Sequence, residues 1–249
     1  MDNLIKAEWF KLRKDRSLWT LIIILTAVSL LYPLLIVFDD GADTVKVIDF
    51  YRNSILGGNN YVLRLVPCIL AGFFISSEYA IGTMKSIAAS GNSRIRIYFA
   101  KLIVYSIGAI FISLIFPIVF TGAASVFLHF NGMPGIGYFA GTIGLTILYA
   151  VAFASIMAMF ATIFTDSGKA IGFMLIFFIL FDSILFLLSQ LNPILEAVFN
   201  YSVFKLFLDI VNVDTVNGAE MIKLVVVPVV TFIAFGILGS VLFQKKEIK

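Results

Sequence analysis

Six stretches of this chain are each nearly unbroken apolar runs of about membrane-crossing length, at roughly 18–38, 61–77, 99–127, 137–164, 170–190 and 224–243. An α-helix rises about 1.5 Å per residue, so about 20 such residues cross a hydrocarbon layer ~30 Å thick. Inside lipid every backbone N–H and C=O must be satisfied within the protein, and a single apolar run does that by becoming a helix. In water the chain could not cover itself: 61% of its residues are hydrophobic and 13% charged, against about 45–50% and about 25% in ordinary soluble domains. The expectation is an all-α integral membrane protein, a single transmembrane domain over 1–249 with six transmembrane helices. The first run is too long for the ~7–15-residue core of a signal peptide and no small-residue cleavage site follows it, so it reads as a retained span.

The basic residues orient this layout. With six spans both termini lie on one side, and that side receives Lys6, Lys11, Arg13, Lys14, Arg16, Lys85, Arg94, Arg96, Lys101, Lys169, Lys245, Lys246 and Lys249, 13 of the 18. Lys46, Arg52, Arg64, Lys205 and Lys223 remain for the other side, where the first loop is acidic through Asp39, Asp40, Asp43 and Asp49. Lysine and arginine near spans favour the cytoplasm, so both termini and the 78–98 segment are expected there, with the spans in the cell membrane. The net charge of +3 gives no reason to expect a nucleic-acid partner.

Two shorter helices are expected outside the spans. In "MDNLIKAEWFKLRKDRS" (1–17), Met1, Leu4, Ile5, Trp9 and Leu12 recur at three- to four-residue spacing while Lys6, Lys11, Arg13 and Lys14 point elsewhere. That is an interfacial amphipathic helix with a basic face toward anionic lipid. Between the fifth and sixth spans, Asn192 is a helix cap and Pro193 suits the first helical position. Ile194, Leu195, Val198, Phe199, Phe207 and Leu208 then form the apolar stripe of an outer helix.

The chemistry of catalysis is missing. One histidine, His129, lies beside a short outer turn, and the single cysteine, Cys68, sits within an apolar run and reads as packing. Neither a zinc-ligand spacing nor a nucleophile elbow occurs. Ser167-Gly168-Lys169-Ala170 ends like a phosphate-binding loop, but Ile163 replaces the required glycine and no Ser or Thr follows the lysine, so "TDSGK" reads as an inner turn. The chain is not expected to be an enzyme or to hold a metal. Intramembrane charge is the better lead, since an ionised carboxylate at mid-bilayer costs on the order of 2.5–3.5 kcal/mol. Asp182 is the acid deepest within a span, and Arg64 could reach it if the second and fifth spans are neighbours. The pair serves either structure or translocation and proton coupling. Phe73, Phe74, Phe177, Phe178 and Phe181 are candidates to line an apolar path.

One stretch carries a more specific signal. The second span ends at Glu78, followed by Gly82-Thr83-Met84-Lys85, Gly91-Asn92-Ser93-Arg94, Tyr98 and Lys101. This order resembles the ABC transporter permeases of the type 2 (G-type) exporter class. It is similar in particular to small bacterial permeases of bacitracin resistance, lantibiotic immunity and phenol-soluble-modulin export. The resemblance implies a cytoplasmic coupling helix between the second and third spans, docking on a separate ABC ATP-binding subunit that holds ATP and magnesium. The chain itself then needs no cofactor. It also implies pairing with a second permease subunit, identical or different, around a path for amphipathic or hydrophobic peptides, moved by alternating access. Glu78, Gly82, Thr83, Lys85 and Arg94 fall on the family's coupling motif. The alternatives are a proton-coupled secondary transporter using Asp182 and a peptide-immunity membrane protein that does not transport.

Overall fold

The computed structural model describes residues 1–40, 46–89 and 91–246. Asp43 and Lys249, and the side chains of Asp39 and Asp40, all counted in the charge pattern above, lie outside the described residues. The protein is an all-α membrane protein: among the described residues six helices are long and apolar enough to cross a bilayer, and none of these residues is in a strand. Helix α1 (Asp2–Lys14) precedes the first spanning helix, α2 (Arg16–Asp40). The second spanning helix, α3 (Val47–Ile81), is followed by the short α4 (Thr83–Ala89) and by α5 (Arg94–Phe127). Then come α6 (Ile136–Ile163), α7 (Ser167–Ser189), the short α8 (Pro193–Asn200) and α9 (Val203–Leu208), and finally α10 (Gly218–Lys245).

Helix α6 is the centre of the bundle, packed by α5 and α10 and touched by α3 and α7. Its middle is built of small residues: Ala152, Ala154, Ala158 and Ala161 are fully buried, letting neighbouring backbones come close where apolar burial alone gives no drive in lipid. The small pair Ala154 and Ala158 therefore serves packing, whereas Gly137 and Gly172 have nothing within 4 Å of an added Cβ. α2, α7 and α10 lie at the periphery, mostly unburied by the chain itself.

α3 is far longer than the apolar window 61–77 suggests. Asp49, Arg52, Asn59 and Asn60 break the hydropathy of its first half, yet the helix forms because much of its polarity turns inward. Asn59, Asn60 and Tyr51 are buried, with Tyr51 OH 2.7 Å from Thr142 Oγ1 on α6. A helix start leaves unpaired amides, and here Val47 N donates to Asn131 O at 2.9 Å and Ile48 N to Gly132 O at 2.8 Å. Those carbonyls belong to the turn after α5, where exposed His129 takes a left-handed φ of 53°. Two wide π-helical segments, Tyr51–Leu56 and Gly72–Ser76, interrupt α3, and a third at Phe116–Phe120 interrupts α5 around Pro117.

The region after α7 follows the expected capping: Asn192 Oδ1 accepts from Ile194 N at 2.8 Å with Pro193 at the first helical position. The expected stripe, however, divides between two helices. α8 buries none of its residues, whereas α9 buries Val203, Phe204, Leu206 and Phe207. "TDSGK" is a turn whose Asp166 caps α7 by accepting from Lys169 N at 2.8 Å. The first helix and the end of α10 lie at one end of the bundle, which we call the terminal end, because Lys246 bonds the last carbonyls of α6 and Lys11 reaches the end of α3. α8 and α9 cap the far end.

Candidate functional site

At the terminal end four charged residues from three helices converge. Glu78 lies in the last turn of α3, two residues beyond the π segment Gly72–Ser76. Its Oε1 accepts from Lys11 Nζ at 2.6 Å, and its Oε2 lies 2.5 Å from Lys101 Nζ on α5. Lys101 also reaches Glu8 Oε1 on α1 at 2.9 Å, and Lys11 meets the same oxygen at 3.1 Å. The two carboxylates and two ammonium groups sum to zero charge. Side-chain exposure is 3% for Lys101, 4% for Glu8 and 11% for Glu78, against 40% for Lys11. Burial works to lower the Lys11 pKa, but the Glu78 and then the Glu8 carboxylate outweigh it, and the ammonium is held above its ordinary value. Breaking one member of such a buried set leaves an uncompensated charge, which costs about 3–5 kcal/mol.

Glu8 was not singled out from the sequence, although its signal is present. It falls on the same helical face as Leu4, Ile5 and Leu12, so an acid interrupts the apolar stripe of α1, and Leu12 is 1% exposed beside it. Lys101 likewise sits two turns into α5, just inside its apolar run. Lys11, expected to face lipid headgroups, instead turns inward to the cluster.

The segment following Glu78 is a tight reversal. Gly82 takes φ 79°, ψ 0°, the left-handed conformation that lets glycine end a helix, and Thr83 Oγ1 donates back to Glu78 O at 3.3 Å. α4 then buries Met84 and leaves Lys85 exposed. Between α4 and α1 runs an open groove of about 680 Å³ whose walls include Leu4, Ala7, Lys11 and Ser86. Arg94 has another occupation: its Nη1 donates to Gln244 O and Lys246 O, both at 2.8 Å, tying the start of α5 to the end of α10. Lys246 in turn donates to Thr162 O at 2.5 Å, Phe164 O at 3.1 Å and Ile163 O at 3.2 Å, and lies 3.6 Å above the Tyr79 ring. The ends of α3, α6 and α10 and the start of α5 are thus knotted together directly behind Glu78.

Within the bundle, Arg64 and Asp182 do meet, Nη1 to Oδ2 at 2.7 Å, with the guanidinium also giving its Nε–H to Asn60 O at 3.3 Å. The phenylalanines separate into two groups. Phe177, Phe178 and Phe181 form one aromatic cluster with Phe153 and with Phe204 of α9, the closest pair being Phe177 and Phe181 at 4.6 Å between ring centres. Phe74 is buried elsewhere, 5.8 Å below the Lys101 ammonium, and Phe73 is exposed on the bundle surface.

Residues 4–183 match the family described as ABC-2 family transporter protein. The matched region holds the whole charge cluster, the Gly82 turn, α4 and the Arg64–Asp182 pair. No curated protein sequence matches the chain.

Proposed function

The chain belongs to the ABC-2 transporter family, and on that premise we propose that it is the permease subunit of an ATP-driven exporter for amphipathic or hydrophobic peptides. As a member of that family it is a non-catalytic membrane component of an ABC transporter. ATP and magnesium belong to the partner. In our reading a separate ABC ATP-binding subunit seats against α4, with Thr83 and the exposed Lys85 at the contact and the groove beside α1 completing it. The termini and α4 then face the cytoplasm, in keeping with the excess of lysine and arginine at that end. A second permease subunit, identical or not, covers part of the periphery.

The observation that carries this reading is the position of Glu78. It is the last buried charge of α3, it precedes a glycine reversal into α4, and it is ion-paired to both α1 and α5. A push on α4 therefore moves three helices through one carboxylate. The Gly72–Ser76 π segment, where α3 crosses α7 so closely that a Cβ at Gly72 would meet Ile171, is the place for the span to yield. Within this reading Arg94 holds α5 to α10 and does not contact the partner. Asp182, held by Arg64, takes no part in proton coupling.

The test is purification of the chain in mild detergent from cells that make it naturally. An ATP-binding protein is expected in stoichiometric amount, and replacing 83–89 by a Gly/Ser loop should remove it. Peptide efflux that proceeds without any ATP-binding partner would overturn the reading.

A further inference from the structure

The far end carries a second feature, built by elements α8 to α10 beyond the family-matched residues. A pocket of about 560 Å³ opens between the α8–α9 layer and the first turns of α10, with Tyr201, Lys205, Asp209, Glu220 and Lys223 on its walls. Lys205 and Asp209 satisfy each other at 2.5 Å. Glu220 and Lys223 take part in none of the ion pairs among the described residues. Lys223 rests instead 4.9 Å above the Tyr201 ring, a contact that positions an ammonium without neutralising it. The pocket therefore offers one free charge of each sign. They stand three residues apart on one helix, so their Cβ atoms are about 5–6 Å apart, a separation suited to two charges joined by a two-carbon link.

On the other side of α9 lies a trough of about 570 Å³ between α7 and the same layer, with Phe186, Leu187, Phe199, Phe204 and Leu208 on its walls. Asp182 also borders it but is held by Arg64, so no unpaired carboxylate faces the trough. Leu187 and Leu208 are 66% and 45% exposed, which opens the trough toward whatever surrounds the bundle. Lys205 borders both spaces. A charged pocket with both signs and an apolar trough thus share one wall at the depth where spanning helices end.

We propose that this pair of spaces binds one zwitterionic phospholipid from the leaflet at the far end. The phosphodiester lies against Lys223, the headgroup ammonium against Glu220, and one acyl chain runs past Lys205 into the trough over Phe186 and Phe204. The site is independent of the docking proposed above and of what the transporter carries.

The experiment is native mass spectrometry of the detergent-purified full chain, titrated with oleoyl lysophosphatidylethanolamine, oleoyl lysophosphatidylglycerol and chain-free glycerophosphoethanolamine. One molecule of the ethanolamine lipid should bind, about tenfold tighter than the glycerol lipid, since one charge-assisted bond separates them. Glycerophosphoethanolamine should bind far more weakly than either. Glu220→Gln should make the two lipids equal, and Lys223→Gln should weaken both by a further factor of about ten. Glu220 is exposed and Lys223 half-buried, and an unchanged thermal midpoint verifies the fold. Equal binding of the two lipids to the unmodified chain, or titrations that neither substitution alters, would overturn the proposal. So would displacement of the lipid by an amphipathic cationic peptide that the two substitutions affect in the same way.

Discussion

Arg64 and Asp182 stand 118 positions apart in the chain and meet at 2.7 Å between α3 and α7, the arginine 4% exposed and the aspartate 25%. The unequal burial makes their replacement unequal. Asp182→Leu leaves a buried guanidinium that keeps its charge, and should lower stability by about 3 kcal/mol or more. Arg64→Leu leaves the less buried partner, a carboxylate a quarter exposed, and should cost less. The double variant should recover much of the loss, as seen in thermal unfolding midpoints in detergent. Equal losses in the two single variants would contradict the pairing.

Glu78→Gln keeps the volume of the side chain but removes the charge that links α3 to Lys11 and Lys101. On the function proposed above, it should leave copurification of an ATP-binding subunit intact while ATP-driven efflux of a peptide substrate falls roughly 5–150-fold, the range of ordinary coupling free energies. Efflux and copurification lost together would assign Glu78 to assembly.

The Lys11 pKa is raised, so its sign is that of a group stabilised in its charged form. The contribution of Lys11 to holding α1 is fully present below the ordinary lysine value of 10.5 and disappears as pH rises through the higher folded value. Protease cleavage within α1 should therefore be slow up to about pH 10 and accelerate above it. Lys11→Met should remove that pH dependence.

Gly82 adopts φ 79° in open space, so a methyl there meets no atom and only the backbone resists it. Gly82→Ala should cost about 1–2 kcal/mol and Gly82→Asn less, since asparagine tolerates the left-handed region. Hydrogen exchange over 77–89 would register the loosened turn.

Gly239 faces Tyr98 so closely that an added methyl would run into the phenol ring and its hydroxyl. Gly239→Ala should destabilise by about 1–3 kcal/mol, and Tyr98→Leu in the same chain should return part of it. Tyr98→Phe alone should be nearly neutral, because the buried hydroxyl has no hydrogen-bond partner among the described residues. Unfolding midpoints of the three variants form the test.

What was legible in the sequence was whatever depends on local chemistry. Apolar runs of membrane length announce spans, and Asn192-Pro193 announces a helix start, because both effects act within a few residues. The intramembrane charges pointed to each other because lipid leaves Asp182 few other remedies. The first half of α3 was hidden: Asn59, Asn60 and Tyr51 lower hydropathy just as loop residues do, and only the presence of α6 turns them into interior groups. The charge cluster was half legible. Glu78 and Lys101 stood within a recognisable pattern, but Glu8 is one acid on an interfacial helix until α5 supplies Lys101. The contact Arg94 makes was hidden for the same reason, since the carbonyls that engage it come from the end of α10, 150 residues later.

Synthesis gives that distance a direction. Glu8 leaves the ribosome 93 residues before Lys101, its most buried partner, so α1 has no counter-ion on α5 while the first two spans are being inserted. It must wait at the membrane surface with its acid in water, and can dock only once the third span has arrived. The helix Asp2–Lys14 is thus made before the first two spans yet seated only after them, and a chain truncated before residue 101 should display it unprotected.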